Sequence, residues 1–322
     1  MTQRILILSH DNKIGDAIVA TGLLKPLRAH WPDCEIGVLC GASNAALYRH
    51  HPDVKWLHVS ASRNVFARMW ASIKARMVGY DMVVHFGLNL ANPSEQIVLK
   101  LINAKQRFLF SSELIKTLPN DVVMHSNLND QHYSARHLLF LKTIGAPSSG
   151  YQYDIRFDPH TPPERLQLDG RNMVINSQSS TANRSLSIPW LQAFVMAVGE
   201  QYPDTHLHLL SASLSHEVDL KAAFLGLSDH VHVCNFHASV GESLKVISSA
   251  DVVVTPDTYA VHAASAWNIP VVALYMPEGP TKVWAPLSDR YVQLEAPAGQ
   301  TVSDIDVSDV MAALQQINFT SA

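Results

Sequence analysis

The residues in this chain best suited to hold an anion are Asp257, Thr258 and His262, inside the stretch ADVVVTPDTYAVHAASAWNIPVVALY at residues 250–275. The β-branched run 251–255 reads as a strand closed by Pro256, which cannot donate a backbone hydrogen bond. Asp257 or Thr258 then stands where a helix N-cap belongs, and residues 260–267 favour a helix that Asn268 stops. Residues 269–275 read as a second, buried strand. A helix N-terminus set at the end of a parallel strand turns free amides and a positive dipole end toward an anion. His262 falls one turn into the helix, on the face of Thr258, and can add a donor there. The plainer account of the same spacing is an ordinary strand–helix–strand unit with a capping residue.

Three further constellations stand out. Gly15 and Asp16 close the loop Asn12-Lys13-Ile14-Gly15-Asp16 that follows the first strand. A carboxylate at the carboxyl edge of a doubly wound sheet can act as a general base, although capping the following helix would also explain it. Residues 177–184, SQSSTANR, follow another strand; a hydroxyl-rich loop that begins at Ser177 and ends on Arg184 can cradle a phosphate, or be simply solvated. Residues 63–78 form a basic amphipathic segment with Arg63, Arg68, Lys74 and Arg76, and no acidic residue occurs between 54 and 80. Such a helix can rest on an anionic membrane or grip a phosphorylated substrate. The simpler expectation is that its apolar stripe (Val65, Phe66, Met69, Trp70, Ile73, Met77) is core and its charges face solvent.

Other patterns argue against chemistries. The 17 histidines include the strand pairs His206/His208 and His230/His232, but neither pair comes with cysteine or carboxylate at ligand spacing, so no metal is expected. Asp304 and Asp306 precede a final helix, where capping accounts for them. The chain lacks the glycine-rich dinucleotide fingerprint, the P-loop and the nucleophile elbow, which ranks a nicotinamide-dependent oxidoreductase low and disfavours hydrolase and kinase-like readings.

The elements that must carry these residues alternate strand and helix. Strands are expected at 4–9, 35–40, 54–59 and 81–85, with helices at 17–30, 94–102 and 134–144. After a turn-rich interval at 146–170 the alternation restarts, with strands at 173–176, 206–211, 231–234 and 251–255, and a last helix at 307–317. With 322 residues, 47% of them hydrophobic, two α/β domains are expected, residues 1–160 and 161–322. A net charge of −4 argues against nucleic acid as partner. Three cysteines without a CxxC pair, no leader-like start and no membrane-length apolar run lead to the expectation of a cytoplasmic protein.

Taken in order, these segments resemble the heptosyltransferase family of bacterial lipopolysaccharide synthesis, glycosyltransferase family 9. The likeness begins with RILILSHDNKIGDAIVATGLLKPLRAHWPDCEIGVLC, continues through YDMVVHFGLN and HLLFLKTIGAP, and is most specific at residues 250–275 with Trp284 and Pro286 of KVWAP. The resemblance implies two facing Rossmann-like domains of the GT-B type: an acceptor-binding domain with the catalytic carboxylate, then a domain holding the sugar nucleotide. It implies inverting transfer without a metal or other cofactor, most simply of heptose from the co-substrate ADP-heptose to a lipopolysaccharide core precursor on the membrane. Asp16 matches the family's base, and Arg184, Ser177, Asp257, Thr258, Tyr259 and His262 fall in its donor site. Lys13, Arg63, Arg68, Lys74 and Arg76 are the candidate acceptor contacts, and the basic segment suits an anionic membrane surface at the inner face of the cytoplasmic membrane. The chain departs from the family at Tyr259, where glycine is usual, at Arg184, where lysine is usual, at the serines of residues 177–180, and at Tyr275-Met276-Pro277-Glu278. Alternatives are a transferase of the same fold using another nucleotide sugar or a protein or capsule acceptor, and a non-catalytic sugar-nucleotide-binding protein.

Overall fold

The computed structural model describes residues 2–9, 12–62, 64–87, 92–111, 119–125, 130–158, 170–211, 213–235, 240–277 and 281–320. The chain divides into two compact units, Met1–Pro159 and His160–Ala322. The first contains β1 (Arg4–Ser9), α1 (Ile14–Thr21), α2 (Leu24–His30), β2 (Glu35–Gly41), α3 (Ala45–Arg49), β3 (Val54–Ser60), α4 (Val65–Val78), β4 (Met82–His85), α5 (Pro93–Ile102), β5 (Gln106–Ser111), β6 (Asp121–His125) and α6 (Ser134–Thr143). The second contains β7 (Arg171–Asn176), α7 (Ile188–Gln201), β8 (Thr205–Ser211), α8 (Leu214–Phe224), β9 (Val231–Asn235), α9 (Val240–Ile247), β10 (Val252–Pro256), α10 (Tyr259–Ala266), β11 (Val271–Tyr275), β12 (Tyr291–Glu295) and α11 (Val307–Gln316).

Each unit is built on one six-stranded sheet, ordered β3-β2-β1-β4-β5-β6 in the first and β12-β11-β10-β7-β8-β9 in the second. Every strand pair is parallel. Read from β9, the second order repeats the first, so both units have the doubly wound Rossmann topology. The central strands β1, β7, β10 and β11 are apolar runs buried almost end to end, as parallel strands covered on both faces by helices must be. In such sheets the strand order reverses beside the first strand, between β1 and β4 and between β7 and β10. Connections leave in opposite directions there, opening a crevice at the carboxyl ends of the strands.

The expected helix over residues 17–30 is two helices. Pro26 has no N–H to give the Gly22 carbonyl, so the α-helical ladder cannot run through. The amides of Gly22 and Leu23 bond instead to Val19 and Ala20, a tightened turn that separates α1 from α2. A Cβ on Gly22 would approach the Tyr151 ring at 2.7 Å. Tyr151 donates its hydroxyl to the Val19 carbonyl at 2.8 Å, and His137 Nδ1 lies 2.7 Å from the same hydroxyl. The segment after α6 therefore locks α1 in place.

The entry to α1 is equally constrained. Asn12 has a left-handed backbone, φ 60°, and its side-chain oxygen accepts from the Ser43 amide at 3.3 Å. Gly41 leaves the space that this side chain fills, because a Cβ there would overlap the Asn12 carboxamide. Asn44 donates to the Ser9 carbonyl at 3.0 Å, and the buried Tyr48 hydroxyl donates to the Ala17 carbonyl at 2.9 Å. Among the described residues no helix is long and apolar enough to cross a membrane. Gly41→Ala is expected to destabilise the protein by about 1–3 kcal/mol through overpacking at Asn12; urea unfolding followed by tryptophan fluorescence measures it, and a neutral result would mean that Asn12 is free to move away.

Candidate functional site

In the first unit, Asp16 is the third residue of α1, at the end of the connection leaving β1 at the switch point. It is not the cap: Lys13 occupies the N-cap position, with extended backbone and no side-chain capping bond. Asp16 stands within the first turn, where the helix dipole favours a carboxylate, and its side chain retains 17% exposure. The Lys13 ammonium lies 3.6 Å from it. Part of the carboxylate is thus reachable, held on a rigid helix and accompanied by a cation.

The other cations of the first unit divide. Arg63 lies outside the described residues. Arg68 turns inward: its guanidinium pairs with Glu95 at 2.6 Å and donates to Ser94 Oγ at 3.2 Å. Glu95 in turn lies 3.3 Å from Nε2 of His85, the last residue of β4, so Arg68 belongs to a buried chain ending on the far side of the switch point. Lys74 and Arg76 are exposed. The helix that bears them is reversed relative to expectation. Small residues, Ala71, Ser72 and Ala75, form its buried face, whereas Phe66, Trp70, Ile73 and Met77 stand in solvent. Small side chains allow the helix backbone to lie close to the sheet, so the large ones are turned away.

In the second unit, the segment at 250–275 folds as strand, turn, helix and strand. Thr258 is the N-cap of α10, accepting from the Ala260 amide at 3.2 Å, and Asn268 takes the left-handed conformation (φ 54°) that ends the helix. A residue that spacing did not reveal fixes the turn. The Asn176 carboxamide, at the carboxyl end of β7, donates to Thr258 Oγ1 at 2.8 Å, to Thr255 Oγ1 at 3.2 Å and to the Gln178 carbonyl at 3.2 Å. One side chain thereby ties the ends of β7 and β10 to the start of α10. A lone asparagine at a strand end carries no spacing signal; only its place opposite Thr255 on the neighbouring strand and Thr258 in the turn that follows discloses its role.

Arg184 ends a single 3-10 turn, Ala182–Arg184, in the loop after β7. Its guanidinium pairs with Asp257 Oδ2 at 3.3 Å and donates to Ser180 Oγ at 2.8 Å and to Thr181 Oγ1 at 3.3 Å. Burial pushes the Asp257 carboxyl above its ordinary pKa, and the Arg184 charge only partly offsets this. The pair thus sets a positioned guanidinium beside the amino end of α10, an arrangement suited to an oxyanion.

Each of the remaining donor-site candidates packs against a neighbour within the second unit. Ser177 is fully buried; its hydroxyl lies 3.4 Å from His216 Nε2, and its carbonyl accepts from the Leu186 amide, closing the loop. Tyr259 donates its hydroxyl to Ser243 on α9 at 2.9 Å. His262 is buried, edge-on to Trp284 with ring centroids 5.5 Å apart. Trp284 is held in turn by its carbonyl, which accepts from the Tyr275 hydroxyl at 2.8 Å.

The histidine pairs meet across β8 and β9, where His208 and His232 are register partners. His206 Nδ1 lies 3.0 Å from His232 Nε2, and His208 Nε2 lies 2.9 Å from Asn172 Oδ1. Asp304 accepts from the Thr301 amide and hydroxyl, both at 2.8 Å, and Asp306 is the N-cap residue of α11. Among the described residues no group of three or more His, Cys, Asp or Glu side chains is arranged to hold a metal ion.

Comparison with known proteins bears on this site directly. The model of glycosyltransferase family 9 (heptosyltransferase) matches residues 209–311, a span that includes β10, the α10 turn and Trp284. The part of the chain that carries the α10 turn thus matches glycosyltransferase family 9. Over 97% of its length it is 20% identical to 87% of an Escherichia coli K12 protein described as "Putative lipopolysaccharide heptosyltransferase 4". Its fold is shared with a family 9 glycosyl transferase from Veillonella parvula, at TM-score 0.81 and 15% identity over 98% of this chain and 97% of that one. It is shared also with E. coli heptosyltransferase WaaC, solved with ADP, at TM-score 0.80 and 17% identity over 98% of this chain and all (100%) of that one. The two Rossmann-like units are thus those of the GT-B glycosyltransferase fold.

If Asn176 anchors this turn, Asn176→Ala and Thr258→Ala should each cost roughly 1 kcal/mol of stability. The double variant should cost clearly less than their sum, because both lose one shared bond. Urea unfolding of the three variants measures it, and strict additivity would show that the Asn176–Thr258 bond contributes nothing.

Proposed function

We propose that this chain is an inverting, metal-independent heptosyltransferase of glycosyltransferase family 9. In this reading it moves heptose from ADP-heptose to a membrane-carried lipopolysaccharide core precursor at the cytoplasmic face. The match of residues 209–311 to the family 9 model supports sugar transfer as the reaction. The E. coli relative described as a lipopolysaccharide heptosyltransferase, and the WaaC structures with ADP and with ADP-2-deoxy-2-fluoro heptose, support the donor and acceptor class.

The observation that carries the reading is the Arg184–Asp257 pair beside the capped start of α10, at the switch point of the second sheet. In the proposed reaction Asp16 takes the proton of the acceptor hydroxyl while its oxygen bonds to the sugar C1. The C1–O bond to the diphosphate breaks from the opposite side, which inverts that carbon, and the electron pair leaves on ADP. Negative charge grows on the leaving diphosphate. Arg184 and the amino end of α10 supply fixed positive charge for it, in place of a divalent cation. Lys13, beside Asp16, can meet an anionic acceptor. Asp257 orients the guanidinium, and Asn176 holds the turn that presents it.

The test is transfer from ADP-heptose to heptose-deficient core lipid, with ADP affinity measured in parallel. Asp16→Asn is expected to lower kcat by a factor on the order of 10²–10⁴ while ADP binds as before. Wild-type-like turnover by this variant would remove Asp16 as the base. Activity with another nucleotide sugar alone would keep the transferase and discard heptose.

A further inference from the structure

The proposed transfer steps make no use of the outward face of α4. It nevertheless exposes Phe66 (77%), Trp70 (60%), Ile73 (38%) and Met77 (78%) on a single helix. At 100° per residue these four positions fall within an arc of about 60°. Lys74 and Arg76 lie about 80° to either side of Phe66, and Ala71, Ser72 and Ala75 lie opposite, against the sheet. The helix therefore presents a narrow strip of large apolar side chains bordered on each side by one cation. Lys74 leans over the Trp70 ring, its Nζ 5.7 Å from the centroid. Neighbouring α5 adds an exposed Ile97 and an exposed Lys100. The one acidic side chain at the α4–α5 contact, Glu95, is buried and neutralised by Arg68.

We propose that this face docks the protein on an anionic membrane surface, the apolar strip entering the headgroup region while Lys74 and Arg76 meet lipid phosphates. Three features point to lipid. A rim of cations with no anion is complementary to anionic lipid. Trp and Phe beside Lys and Arg are the side chains that partition to that depth, where long cations extend their charged ends toward water. A second copy of the chain is a poor occupant, because a two-fold contact would set Lys74 and Arg76 against the same cations of its mate. The helix need not fold on contact: Asn64 caps it, Gly79 ends it in the left-handed conformation, and the Arg68–Glu95 pair pins its inner face. This inference goes beyond the transfer reading and does not depend on it, since lipid binding is read without donor or acceptor.

Co-sedimentation of the full chain with vesicles of phosphatidylcholine, with and without phosphatidylglycerol, tests it. The wild-type protein should bind the phosphatidylglycerol vesicles and lose binding as salt rises. Lys74→Gln with Arg76→Gln should weaken partitioning by about thirtyfold at low salt. The combined Phe66→Ser, Trp70→Ser and Met77→Ser variant should fall to the level seen with phosphatidylcholine alone. Its circular dichroism and thermal midpoint should match wild type, because the replaced side chains touch solvent. Absence of wild-type binding, or undiminished binding by the serine variant, would overturn the proposal. So would a concentration-dependent dimer, abolished by the serine variant, in a protein that ignores lipid; that outcome would make the face a protein interface.

Discussion

The second unit depends on one hydrogen bond, from the Asn176 carboxamide to the Thr258 hydroxyl. Parallel strands leave their carboxyl ends unjoined at a switch point, because the connections there depart in opposite directions. Asn176 closes that gap from β7 to the α10 turn at 2.8 Å and reaches Thr255 on β10 as well. Once Thr258 is fixed as the helix cap, Asp257 is fixed one residue before it. Arg184 is then fixed through its pair with Asp257 and two hydroxyl contacts in the loop. Each step relies on the one before it, and none involves a long free side chain. The result is a cation whose cost of ordering is met during folding and not at the moment a ligand binds.

The first unit solves a related problem with different parts. It repeats the strand order of the second without a sequence repeat to announce it. Its switch point is fastened by Asn12 against Gly41, by Asn44 on the Ser9 carbonyl and by Tyr48 on the Ala17 carbonyl. These hold α1 and its early Asp16 without using that carboxylate as a cap. The buried chain from Arg68 through Glu95 to His85 sits at the end of β4, beside the same switch point.

What could be read from the sequence was what depends on local order. A β-branched run, a proline, a hydroxyl cap and a terminal asparagine sufficed for the β10–α10–β11 unit, because each residue acts on its own backbone. Strands β5, β6 and β12 were not anticipated, and three further features escaped. The break at Pro26 was hidden by leucines at helical spacing on both sides of it, which a hydrophobic pattern cannot tell from one helix. The sidedness of α4 was hidden because periodicity marks a stripe without saying which side meets the sheet. Packing distance decided that question in favour of Ala71 and Ala75. Asn176, Asn44 and Tyr48 were hidden because their partners lie far along the chain. Ser177, Tyr259 and His262 were legible as neighbours of the site, but not their contacts there: Ser177 toward His216, Tyr259 toward Ser243, His262 edge-on to Trp284.

In the proposed transfer, Arg184 and the start of α10 form a preorganised diphosphate site that needs no divalent cation. The direct measurement is calorimetric titration of ADP, UDP and GDP into the purified protein, in chelator and then in magnesium, alongside Arg184→Ala. The account predicts that ADP binds most tightly, with an affinity indifferent to magnesium. It predicts a loss of about tenfold to a hundredfold in the variant, the worth of hydrogen bonds to a charged group. Binding that requires magnesium, or an Arg184→Ala variant that binds ADP as the wild type does, would contradict it.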